Sequence, residues 1–137
     1  MDDRSATKLT ADQILAGLNQ ALLAEEQAVI DYDAHARACD RPHIAELLTA
    51  LRDVEQDHAL RLASRITTLG SAPAGQAVAP RTVGVTLAAS LEADLKAEQW
   101  AIVDYARLVA GIVDDDETAA LMAELLEDEI RHATWLK

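Results

Sequence analysis

Two four-residue stretches decide how this chain reads: Glu55-Gln56-Asp57-His58 and Glu129-Ile130-Arg131-His132. In each, a carboxylate and an imidazole stand three residues apart, close to one turn of an α-helix, so both project from one face. That face is otherwise apolar. Ile44, Leu48, Leu51, Leu62 and Ile66 flank the first pair at three- and four-residue spacing, and Leu121, Leu125 and Leu136 flank the second. Ionisable residues therefore stand where leucines belong.

Two more stripes carry one carboxylate each. The first reads Leu15, Leu18, Leu22, Glu25, Val29, Tyr32, Ala36, and the other Leu87, Leu91, Glu98, Ile102, Tyr105, Val109. The chain repeats itself: the stretch Glu25 to Tyr32 recurs 73 residues later as Glu98 to Tyr105, and the Glu-x-x-His pair recurs at an offset of 74. It reads as two related helical hairpins.

Helix ends have local signals. Thr10 with Gln13 and Asp114 with Glu117 form candidate capping boxes, Pro42 suits a first helical turn, and Gly70 suits a helix stop. The prediction is an all-α, up-down four-helix bundle in one domain, 1–137, with helix A at about 11–38, B at 42–69, C at 86–112 and D at 116–136. Short A-to-B and C-to-D links make each pair antiparallel. Residues 70–85, with three Gly and two Pro, form a long B-to-C crossover. Extended, they reach ~50 Å, more than the ~40 Å of a helix this long.

Composition narrows the functions. A net charge of −12 repels phosphate backbones and anionic lipid, so neither nucleic acid nor a membrane is an expected partner. Met1 to Thr10 has no apolar signal core, and no segment approaches ~18 uninterrupted apolar residues, which gives a soluble, cytoplasmic expectation. Cys39 is the single cysteine and receives no role.

Glu25, Glu55, Glu98 and Glu129 all fall at mid-length of their helices, where antiparallel neighbours meet at one level whichever way they run. Four buried carboxylates repel one another and resist desolvation, so the arrangement calls for cations. Two divalent ions balance the charge. Carboxylate oxygens mixed with imidazole nitrogens suit iron or manganese, and one Glu from each of two helices plus Glu-x-x-His from the other two is the known pattern of di-iron and di-manganese bundles. The predicted metal ligands are Glu25, Glu55, His58, Glu98, Glu129 and His132. Tyr32 and Tyr105, two turns beyond Glu25 and Glu98, are candidates to hydrogen-bond ligand carboxylates or donate an electron, with simple core packing as the alternative. Asp94 is a candidate to orient a ligand histidine. His35 and His43 lack a Glu three residues earlier and are assigned to the surface, and Trp100 and Trp135 are candidate subunit contacts.

With these residues placed, the chain from about Leu15 to Leu136 resembles the bacterioferritins and, more distantly, rubrerythrin-like members of the ferritin-like di-iron superfamily. The ending Asp128-EIRHATWL-Lys137 carries part of the likeness, as does the Tyr seven residues after the first Glu. The resemblance implies that Glu25 and Glu98 are terminal ligands, Glu55 and Glu129 bridge, and His58 and His132 each cap one ion. It also implies a ferroxidase that oxidises Fe(II) with O2 or H2O2 in iron detoxification or storage, in at least a homodimer. Two features depart from the family. The methionine that binds haem there is Gln56 here, so haem is not expected, and the family's short fifth helix has no counterpart before Lys137, so its 24-subunit shell is not carried over. The alternatives are a rubrerythrin-like peroxidase, a manganese catalase, or a metal-free helical interaction protein.

Overall fold

The computed structural model describes residues 8–73 and 86–137. They form four helices, α1 (Ala11–Ala38), α2 (Pro42–Thr68), α3 (Leu87–Gly111) and α4 (Asp116–Leu136), with no strand among the described residues. Local chemistry at the ends explains where each begins. The Thr10 hydroxyl accepts from Gln13 N at 3.1 Å while the Gln13 side chain accepts from Thr10 N at 2.9 Å, a complete capping box. Pro42 opens α2, where a missing N–H costs nothing, and Thr86 accepts from Ala89 N at 3.2 Å to open α3. After α2, Gly70 takes φ +88°, a left-handed conformation that a β-carbon would strain.

The start of α4 corrects the sequence reading. Asp115, rather than Asp114, caps the helix by accepting from Thr118 N at 3.1 Å. Arg65 explains the choice: its guanidinium reaches Asp115 at 3.2 Å and Thr118 Oγ1 at 2.8 Å, whereas Asp114 points outward and pairs with Lys8.

Long-range bonds set the topology. Leu9 N donates to Gly111 O at 2.9 Å, so the start of α1 meets the end of α3, and Arg65 near the end of α2 meets the start of α4. Both pairs are antiparallel. Thr68 and Leu87 therefore lie at opposite ends of the bundle; the crossover expected between them falls, from residue 74 to 85, outside the described residues. The helices α1 and α2 pack along each other, as do α3 and α4, and the two hairpins meet chiefly through α1 against α3. Gly17 allows that approach, since a β-carbon there would sit 2.5 Å from Leu108 Cδ2.

The apolar core divides into two clusters. One gathers Leu18, Leu22, Leu62, Ile66, Met122 and Leu125, and the other Tyr32, Leu48 and Leu51. Burying each such leucine contributes roughly 1.5–3 kcal/mol. Along the helix axes the gap between the clusters is filled by carboxylates and imidazoles. No helix among the described residues is long and apolar enough to cross a membrane.

Candidate metal centre

Helical spacing on α1 to α4 brings Glu25, Glu55, His58, Glu98, Glu129 and His132 into this layer, and none is more than 2% exposed. They divide into two groups, Glu25, Glu55, His58, Glu129 and Glu55, Glu98, Glu129, His132, each offering four ligand atoms within 4.8 Å of one another. Glu55 and Glu129 belong to both. A carboxylate has two oxygens, so a residue shared between neighbouring groups can face both at once.

The halves mirror each other closely. His58 Nδ1 lies 2.9 Å from Glu129 Oε1 and 3.4 Å from Glu25 Oε2; His132 Nδ1 lies 2.8 Å from Glu55 Oε1 and 3.6 Å from Glu98 Oε1. The two imidazoles are nearly parallel, 16° between planes, with ring centroids 6.3 Å apart. This is the near two-fold symmetry that the sequence repeat carries.

One buried atom from each of the six side chains (Glu25 Oε2, Glu55 Oε1, His58 Nδ1, Glu98 Oε2, Glu129 Oε1 and His132 Nδ1) makes no properly aligned hydrogen bond among the described residues. Unpaired buried polar atoms cost ~1–3 kcal/mol each, more if charged. Six that converge on one layer could together hold cations, and their oxygen and imidazole chemistry fits iron or manganese.

The protonation pattern supports that fit. Burial, followed by the charge of Glu25, pushes Glu55 and Glu129 well above the usual carboxylate range. Burial also raises Glu98, but hydrogen bonds with Glu129, His132 and Tyr32 outweigh it and hold this carboxyl below its ordinary value. Desolvation alone would lower His58; contacts with Glu129 and Glu25 overcome it and raise the imidazole to about 11. Protons held on these groups offset part of the layer's negative charge, and divalent ions would displace them.

The tyrosines cross between the halves. Tyr32 donates to Glu98 Oε1 at 2.6 Å, and Tyr105 donates to Glu25 Oε1. Burial pushes both phenols far above their ordinary value, so they stay protonated and act as donors.

Two sequence assignments are corrected. His35 is buried, 4% exposed, and its Nδ1 lies 2.8 Å from Asp94 Oδ2. It follows Tyr32 by three residues on the inward face of α1, a placement that helical periodicity carries even without a Glu three residues earlier. Asp94, raised by burial and lowered in part by His35, consequently serves His35 rather than either histidine of the centre. The carboxylate that does reach one of those is Asp128, whose Oδ2 lies 2.8 Å from His58 Nε2. Burial tends to raise Asp128, but His58 and Arg131 hold it below the usual range. His43, Trp100 and Trp135 are exposed.

A cavity of about 390 Å³ between α1 and α3 leads inward to all four glutamates. Small side chains, including Ala24, Ala28, Ala97 and Ala101, leave the space, and Trp100 stands at its exposed margin.

Among curated proteins none matches this chain significantly. Among solved structures the chain is similar to a dodecameric thioferritin, the bacterioferritin-related protein from Bacteroides fragilis: the two are 22% identical, with a TM-score of 0.84 over 94% of this chain and 84% of that one. At this identity the likeness concerns the fold. The sequence model of the ferritin-like domain matches residues 15–137, and the chain belongs to the ferritin-like domain family.

Proposed function

We propose that this protein is a ferroxidase, with Fe(II) as substrate and the six-residue layer as the place where two ions bind and are oxidised. The observation that carries the proposal is the pair of four-residue groups sharing Glu55 and Glu129. Two ions held side by side each give up one electron. Two Fe(II) become two Fe(III), and the electron pair with two protons reduces O2 to H2O2, or H2O2 to two waters. In this reading Glu25 and His58 hold one ion, Glu98 and His132 the other, and Glu55 and Glu129 reach both.

The chain's own residues do three things. Tyr32 and Tyr105 fix the terminal carboxylates Glu98 and Glu25 in orientation, each across the bundle from its own helix. The apolar clusters on either side keep bulk water from the layer. The cavity between α1 and α3 admits ion and oxidant to the glutamates. Self-association accompanies this function: exposed Trp100, Trp135 and Leu60 offer apolar area for a second copy to cover, and the similar thioferritin is a dodecamer.

The test is anaerobic addition of two Fe(II) per chain, then air, following ferric absorbance in the near ultraviolet. Rapid growth that saturates at two irons per chain and is lost in Glu55→Ala and His132→Ala supports the reading. A signal indifferent to both substitutions removes it.

A further inference from the structure

The near two-fold symmetry fails one layer behind the two histidines. His58 and His132 both turn Nδ1 toward the carboxylates, so in each ring Nε2 faces away. Behind His58 stands Asp128, 2.8 Å from Nε2. Arg131 holds the other Asp128 oxygen, Oδ1, which leaves Oδ2 to the imidazole. Behind His132 stands no carboxylate: its Nε2 makes no hydrogen bond among the described residues, and its ring lies tilted against Trp135 with centroids 5.8 Å apart.

The sequence supplies the cause. Asp128 immediately precedes Glu129, and in the matching place before Glu55 the chain has Val54, which can neither donate nor accept. Val54 and Asp128 occupy equivalent half-buried positions on α2 and α4, so a carboxylate could stand at 54 without entering the core. Directly before the shared spacing of Glu and His, the repeat is broken at position 54.

A carboxylate behind a ligand imidazole acts in three ways. It accepts a hydrogen bond from Nε2–H and so fixes the tautomer that leaves the Nδ1 lone pair for the ion; it holds the ring orientation; and it makes Nδ1 a stronger ligand. Losing such a partner typically lowers metal affinity ~10- to 100-fold. We infer that the two metal positions are unequal. The position of Glu25 and His58, backed by Asp128, binds tightly and fills first, whereas that of Glu98 and His132 fills second and must order its imidazole as it does so. Asp128 is a positioning residue that acts through His58. The inference rests on the proposed two-metal centre.

The experiment is calorimetric titration of the full chain with Zn(II), which takes no part in redox chemistry, with thermal unfolding of each variant as a check that it folds. Two steps of one ion each are expected, at least tenfold apart in affinity. His58→Ala should abolish the tight step and His132→Ala should spare it. Asp128→Ala should weaken the tight step ~10- to 100-fold and leave the weak one within about threefold. Val54→Asp should strengthen the weak step, a gain that no general loss of stability can imitate. Two ions binding in a single step, or Asp128→Ala weakening both steps alike, overturns the inequality while leaving the two-metal centre intact. Failure to bind Zn(II) at all overturns both.

Discussion

The Tyr32 hydroxyl on α1 donates a 2.6 Å hydrogen bond to Glu98 on α3, and Tyr105 on α3 returns the same bond to Glu25 on α1. Each tyrosine therefore holds a buried carboxylate of the other hairpin. The pairing ties the two halves together at the level where α1 and α3 meet. Tyr32→Phe should keep two ions per chain but slow their oxidation, because Glu98 loses its orienting donor. It should also cost about 1 kcal/mol of stability, the usual net value of one buried hydrogen bond. Stopped-flow absorbance with chemical denaturation measures both.

Glu129 is buried among three other carboxylates, and burial first, then the charge of Glu25, push its pKa up. Glu129→Gln should raise the melting temperature of the protein without added metal and abolish binding of the second ion. Wild-type protein should gain stability when a divalent ion is added, by about 2.7 kcal/mol at one hundred times the dissociation constant. Scanning calorimetry with and without Mn(II) reads both effects.

Asp115 gives a pH dependence away from the centre. Hydrogen bonds from the Thr118 side chain and backbone hold its carboxyl below the ordinary value, with Arg65 adding to the effect. A folded pKa below the unfolded one means stability that is fully present above the unfolded value, ~3.9, and lost as pH falls through the folded one. Asp115→Ala should cost about 1 kcal/mol at pH 7, the usual value of a helix cap, and the difference from wild type should shrink as the pH falls. Urea unfolding at pH 7 and pH 3 decides it.

The cavity between α1 and α3 predicts an entry route. Ala97→Phe places a ring beside Glu98 in that space. Oxidation should slow several-fold while the number of ions bound at equilibrium stays at two. Unchanged rates would mean that ions enter elsewhere.

Much of this was legible in the sequence because helices express burial as spacing. The leucine stripes and two Glu-x-x-His pairs locate four helices and a shared polar layer, and the internal repeat brings out its symmetry. What escaped was set by contacts between helices. Asp115 displaced Asp114 as the cap because Arg65, 50 residues away in sequence, reaches it. The lack of a preceding Glu points His35 to the surface, but it lies on the Tyr32 face, where its partner Asp94 comes from α3. Asp128 sits beside a predicted ligand on its own helix, yet the histidine that it serves belongs to α2. Periodicity says which face a side chain takes and leaves its partner to the tertiary structure.

The most direct test of the central claim is a crystal structure of the protein soaked anaerobically with Fe(II), with anomalous scattering at the iron edge to locate the ions. Two iron peaks ~3.5–4 Å apart, one beside His58 Nδ1 and one beside His132 Nδ1 with Glu55 and Glu129 touching both, is the predicted result. A single peak on the bundle axis, or iron bound only at the surface, would contradict it.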